Sequence, residues 1–278
     1  MEFHKPKPVH NWREFLKEYA IIVLGVITAL AAEQVVEWLH WRAQVRDARE
    51  VIATEMAFNL EGAISRMRTI QCTERRLDAL SKILDEASRT GSLPPVGYIG
   101  QSPRHQWRSG AWESVVASQT AIHFPRQEFA DLGALYKVVD RLNEYAVPDT
   151  LGWADLYPMV GPGRKLDGPS EAALRTAISR QRNTGRIMAA VAMNLVNQAH
   201  AMNLPFTKAD LDLIDAAKKQ PIDQAMRTLY PASSPASTMS ICEPIGRVPA
   251  NYGEAPVQDG PAAIAAAAKS LPDFGARP

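Results

Sequence analysis

Residues 19–32 (YAIIVLGVITALAA) form a run of fourteen without one charged side chain, and nothing else in the sequence constrains the chain so tightly. As a helix the run spans about 21 Å, short of the roughly 30 Å hydrocarbon core of a bilayer. Its flanks lengthen it: Phe15 and Leu16 precede it, and Val35, Val36, Trp38, Leu39 and Trp41 follow. Residues 15–41 together are long enough to span, with Trp12 and Tyr19 suited to one membrane interface and Trp38 and Trp41 to the other. A cleaved signal peptide has a similar make-up, and Lys5, Lys7, Arg13, Lys17 and the Ala29-Leu30-Ala31 triplet fit it. Against that reading, Glu14 and Glu18 crowd the start of the apolar run, and the helical pattern continues through the supposed cleavage site. A buried or interfacial helix is the third candidate. The expectation is a single-pass anchor over 15–41.

Orientation is weakly encoded, because Lys5, Lys7, Arg13 and Lys17 before the run are nearly matched by Arg42, Arg46 and Arg49 after it. A short leading segment and a large following domain resemble a signal anchor. Residues 1–14 are therefore expected in the cytoplasm of a bacterium, and the bulk of the chain in the periplasm, tethered to the inner membrane. Glu33 and Glu37 close the apolar run. Carboxylates inside a bilayer are costly and mark helix contacts or proton paths, whereas at the outer headgroups they cost little, and that placement is expected here. Gly25 and Ala29 make a small-xxx-small pair of modest specificity.

The remainder reads as all-α. From residue 35 to 89 there is no proline, and Val45, Ala48, Ile52, Met56, Leu60, Ala63, Met67, Ile70, Leu77, Leu80 and Leu84 recur at helical spacing. That makes one long rod, with Gly62 its expected bend. Gly91, Pro94 and Pro95 end it. Residues 91–108 read as loop, Ser109 as the cap of a short helix over 111–118, and Pro125 as the start of a helix reaching Tyr145. A second loop covers 146–168. Pro169 opens a third long helix to Met202, Thr207 with Asp210 caps a shorter one as an acidic capping box, and Pro221 opens a last one to Tyr230. No alternating strand pattern is present. The helical bundle domain is set at 42–230, and 231–278, rich in Pro and Ala, is read as an irregular tail with a short helix at 261–270.

The composition narrows the function classes. Thirty-one Lys and Arg against thirty Asp and Glu give a formal charge of +1, without the basic excess of a nucleic-acid protein. Two cysteines exclude a four-thiolate zinc site. His4, His10, His40, His105, His123 and His200 make no ligand pair at helical spacing, so no metal or cofactor is expected. Gly161-Pro162-Gly163 lacks a backbone donor at Pro162 and reads as a turn. Asp210, Asp212 and Asp215 lack the glycine turn of a calcium loop. Arg175, Arg180, Arg182 and Arg186 are read as a solvated basic face.

The densest polar and aromatic cluster is residues 104–113, where Arg104, His105, Trp107, Arg108, Trp112 and Glu113 are candidate ligand contacts, an Arg holding an anion. The competing reading is that the two tryptophans fasten a loop to the bundle. Cys72 lies near the apolar stripe of the first helix, and Cys242 in the tail. An oxidising compartment would pair them; two independent thiols are the alternative.

Two stretches carry a family resemblance. Residues 18–26 (EYAIIVLGV) with Ala29, Leu30 and Trp38, and residues 111–118 (AWESVVAS) followed by Pro125, Leu135 and Tyr136, are similar to an uncharacterised bacterial family. The likeness covers roughly half the chain. Gln119 departs from it, since members carry glycine there. It implies one N-terminal transmembrane helix running directly into a helical domain, and no activity, because the family is a domain of unknown function. The expected function is thus a membrane-anchored, non-enzymatic module that binds a partner protein or small ligand, its partners being lipid and either itself or other membrane subunits. An envelope enzyme at Trp107 and Trp112, or an accessory subunit meeting other helices through Glu33 and Glu37, are the alternatives.

Overall fold

A computed structural model of the chain describes residues 12–100, 104–219, 241–242 and 244–245. One helix, α1 (Trp12–Thr90), runs through 79 residues, about 119 Å at 1.5 Å per residue. No proline interrupts it, and it stops where Gly91 takes φ +71, a left-handed conformation that glycine adopts without strain. Exposure divides it sharply. The large apolar side chains from Trp12 to Leu39 are uncovered, and Val45 is the first that is buried.

The expected bend at Gly62 is absent, because glycine serves packing there. A Cβ on Gly62 would stand 2.2 Å from Cγ of His105, so the missing side chain lets an imidazole lie on the helix backbone.

After α1 the chain forms β1 (Ser92–Leu93), returns along α1 through residues 104–109, and enters α2 (Gly110–Ala117) and a 3-10 turn over Gln119–His123. It then climbs again as α3 (Arg126–Ala154). Residue numbers on α1 and α3 rise together through the pairs Arg49–Glu128, Glu55–Tyr136 and Arg66–Asp149, so the two are parallel. A strand β2 (Arg164–Lys165) pairs antiparallel with β1. The helix α4 (Gly168–Ala201) descends, pairing Arg175 with Asp85 and Arg182 with Glu74, and α5 (Lys208–Lys219) ascends from Thr54 to Arg68. The all-α reading is correct, apart from the β1–β2 clip. No sequence alternation signals two-residue strands, because paired backbone and not a buried face defines them.

Two other helix ends differ from the sequence reading. α3 passes through Pro148 instead of ending at Tyr145. Proline removes one helical bond, but the turn beyond it buries Asp149 and Trp153, which holds the helix together to Ala154. Ser109 stands at the start of α2 without capping it; its hydroxyl bonds Glu113 Oε1 at 2.5 Å. The backbone donor of Ala111 goes instead to Glu55 Oε2 of α1, 3.0 Å away. By contrast Asp167 caps α4 by accepting from Ser170 N at 2.7 Å, and Thr207 and Asp210 form the reciprocal box, 2.9 and 3.2 Å. The helices expected at 221–230 and 261–270 lie outside the described residues.

The apolar interior has two parts on one wall. Ile52, Met56, Leu60 and Ile64 of α1 pack with α2, α3, the end of α4 and α5. Leu77, Leu80 and Leu84 pack with the clip, the end of α3, the start of α4, and Ile241 and Ile245. A disulfide joins Cys72 to Cys242, with Cα atoms 4.8 Å apart. The described tail residues form no helix or strand, and Ile241 and Ile245 are part of the second core.

The basic streak of α4 is solvent-exposed for the most part, and its arginines are ion-paired. Arg182 bonds Glu74 and Asp78 at 2.6 and 2.8 Å, Arg186 bonds Glu74 at 2.5 Å, Arg175 bonds Asp85 and Glu171, and Arg180 bonds Asp155. Most of these pairs are open to water and contribute little singly. Arg66 and Asp149 differ: both are 7% exposed, 2.7 Å apart, and Gln181 Nε2 donates to the second carboxylate oxygen at 2.8 Å. Gly152 makes room for that amide, since a Cβ there would sit 2.0 Å from Gln181 Oε1. Removing one partner of a buried pair leaves the other charge uncompensated. Asp149→Ala should lower unfolding stability by about 3–5 kcal/mol, read from denaturant unfolding of the full chain in micelles; a loss under about 1 kcal/mol would contradict a dry, essential pair.

Candidate functional site

The cluster at 104–113 is laid over the middle of α1 by polar side chains projecting from it. Asn59 is fully buried and clamps the backbone of Arg108, donating to its carbonyl at 2.7 Å and accepting from its amide at 2.9 Å. The side-chain amide thus supplies both bonds a strand partner would give. One turn earlier, Glu55 takes the Ala111 amide on one oxygen and the Tyr136 hydroxyl, 2.8 Å, on the other. Asn143 of α3 reaches the Trp107 carbonyl at 3.5 Å.

The aromatic members pack on one another. Trp107 is 6% exposed and meets the His105 ring edge-on at 4.6 Å. His105 also lies 4.6 Å from the Phe58 ring, whose other contact is the Arg108 guanidinium, 3.5 Å from the ring centroid. Trp112 stacks on Tyr136 at 5.5 Å and touches Phe129 at 5.0 Å. Burial and the neighbouring Glu55 carboxylate push the Tyr136 hydroxyl far above its usual range, so it stays protonated and donates to Glu55. Arg104 and Arg108 lie at the exposed rim, and Glu113 is tied to Ser109. Of the six residues singled out from the sequence, Trp107 and Trp112 thus fasten the segment to the bundle, and His105 sits beneath it. The sequence reading missed Glu55, Asn59, Glu61 and Gly62. The signal for Asn59 was legible: a lone amide in Met56-Ala57-Phe58-Asn59-Leu60, at a position due to be buried.

His105 Nδ1 is 3.5 Å from Glu61 Oε2, near enough for an ion pair. The titration directions oppose one. Burial, then the charges of Arg108 and Arg66, lowers His105 to about 4, and burial raises Glu61 above its ordinary value. A true pair would move both the other way. The imidazole is therefore neutral, and its Nε2 is buried without a hydrogen-bond partner. Among the described residues no three His, Cys, Asp or Glu side chains come together as a metal site.

Away from this cluster the uncovered part of α1 carries its own order. Trp12, Phe15 and Tyr19 stack in sequence at one end. At the other, Glu37 accepts from Trp41 Nε1 at 3.4 Å and Arg42 lies over Trp38 at 4.5 Å. Glu33 is exposed. Among the described residues α1 is the one helix long and apolar enough to cross a membrane, and none of its apolar window is covered by protein. No family model, curated protein or solved structure matches the chain.

The neutral His105 sets a pH dependence. The unfolded chain takes up a proton as pH falls below 6.5, while the folded one resists until about 4. Stability is thus present above pH 6.5 and drains away down to pH 4, by about 3 kcal/mol in all. Glu61, raised when folded, acts oppositely: its contribution is present at low pH and lost as pH rises through its folded value. His105→Gln should flatten the fall of Tm between pH 6.5 and 4; an unchanged slope would mean that His105 is not held neutral.

Proposed function

We propose that the chain is a single-pass inner-membrane protein whose helical domain stands in the periplasm and binds a partner protein or small ligand there, with residues 15–41 as its anchor. The observation that carries this reading is the switch in exposure along one unbroken helix. Ile21, Ile22, Leu24, Val26, Ile27 and Leu30 are all more than half exposed, whereas Ile52, Met56 and Leu60 on the same helix are sealed in a core. Water does not tolerate a continuous apolar cylinder of that size; hydrocarbon does. From Trp12 to Trp41 is about 44 Å along the helix, which matches the roughly 40–45 Å between the outer edges of the two headgroup layers. The aromatic stacks fall at the two ends.

The Cys72–Cys242 disulfide supports the periplasmic side, since bonded cysteines persist in oxidising compartments. A binding role, in preference to catalysis, is supported by the 104–113 cluster, whose polar groups hold backbone and whose rings pack on one another. The likeness of residues 18–26 and 111–118 to a bacterial family of one membrane helix and a helical domain agrees with the same plan. Measured from residue 28, the centre of 15–41, Glu37 is about 13 Å along the helix, near the edge of the hydrocarbon, and Glu33 about 8 Å, inside it.

Alkaline extraction of bacterial membranes tests the anchor. The protein should stay in the pellet, keep its original N-terminus, and show no alkylatable thiol before reduction. Release into the supernatant or a mature N-terminus near Ala32 would overturn the anchor, and two free thiols would overturn the periplasmic side.

A further inference from the structure

We infer that the 3-10 turn over Gln119–His123 is a second contact with the bilayer, its Ile122 seated in the outer headgroup layer beside α1. The inference rests on the anchor reading above and names lipid as the occupant of a surface that the bundle leaves bare. Ile122 is 80% exposed, more than any large apolar side chain on the uncovered part of α1 itself. Val116, near the end of α2, is half exposed as well. Single exposed apolar groups are ordinary; the place of this one is not.

The turn is fixed at the level where α1 leaves the membrane. The His123 ring stacks on Trp41, 4.0 Å between centroids and 15° between planes, and Thr120 Oγ1 bonds Gln44 Oε1 at 3.0 Å. The other contacts with α1 lie farther along, with α3 first bonding Arg49 and α5 Thr54. Measured from residue 28, the centre of 15–41, Trp41 is about 20 Å along the helix axis. The hydrocarbon ends about 15 Å from the midplane and the headgroups about 20–22 Å. The turn therefore lies on the headgroup boundary, the depth at which interfacial segments bury apolar side chains. Arg42, Arg46 and Arg126 stand at or near this level with exposed or partly exposed side chains, and long cationic side chains reach lipid phosphates from such positions.

The two native cysteines are bonded to each other, so an added cysteine is the one reactive thiol. Ile122→Cys, Leu24→Cys and Val147→Cys, each at an exposed position, are labelled with the fluorophore NBD. The full chain is reconstituted in phosphatidylcholine vesicles carrying 5-doxyl or 12-doxyl phosphatidylcholine. Val147, exposed on α3 beyond its contacts with Glu55, is the water-side control. The label at 122 should be quenched at least twofold more than that at 147, most strongly by the shallow 5-doxyl lipid, and the label at 24 by the deep 12-doxyl lipid. Equal quenching at 122 and 147, with 24 quenched, overturns the second contact and leaves the anchor standing. A label at 24 that neither lipid quenches overturns both.

Discussion

Both apolar cores are built against one side of α1. Its residues 45–67 wall one cluster and residues 72–87 wall the other, so α2, α3, α4, α5 and the strand clip share a template they do not make for themselves. In proteins most of a helix's stability comes from what packs on it. The dependence is mutual. Packing sustains α1 beyond Val45; before that point its large apolar side chains are exposed, and the proposed hydrocarbon surround would satisfy them while the backbone bonds stay internal.

Charge is arranged in two grades around that template. The Arg ladder between α1 and α4 is wet, with side chains such as Arg186 and Asp78 more than half exposed, and it orients helices more than it stabilises them. Arg66, Asp149 and Gln181 form the dry grade, joining α1, α3 and α4 at one level. A dry ion pair is seldom a better bargain than apolar packing, but it has a preferred partner, and this one fixes how far α3 is advanced along α1. Pro148, one residue before Asp149, weakens the helix where the pair must hold it.

Helix periodicity made α1, α4 and α5 legible, along with the cap pair Thr207–Asp210, because those signals are local in the chain. What was hidden depends on partners far away in sequence. Gly62 looked like a hinge until His105, forty-three residues on, occupied the space over it. The end of α3 looked fixed by Pro148, because burial of Trp153 is invisible in a linear string. The pairing of Arg182 and Arg186 with α1 was hidden because their carboxylates sit about a hundred residues upstream. In the 104–113 cluster the aromatic residues were plain to see and Asn59 showed as a lone amide among apolar neighbours, but nothing local marked Glu55, whose partners are the distant Ala111 and Tyr136.

The absence of a hinge at Gly62 gives α1 the character of a lever. About 74 Å of it lies beyond Trp41, and the packed bundle travels with it. Membrane helices tilt by about 20° on average, over a range of about 0–40° set by bilayer thickness and neighbours. With residues 15–41 as the proposed anchor, a change of only about 10° there would carry the far end of α1 sideways by about 13 Å. A thinner or thicker bilayer would therefore change where the distal end stands over the membrane, with no rearrangement inside the domain.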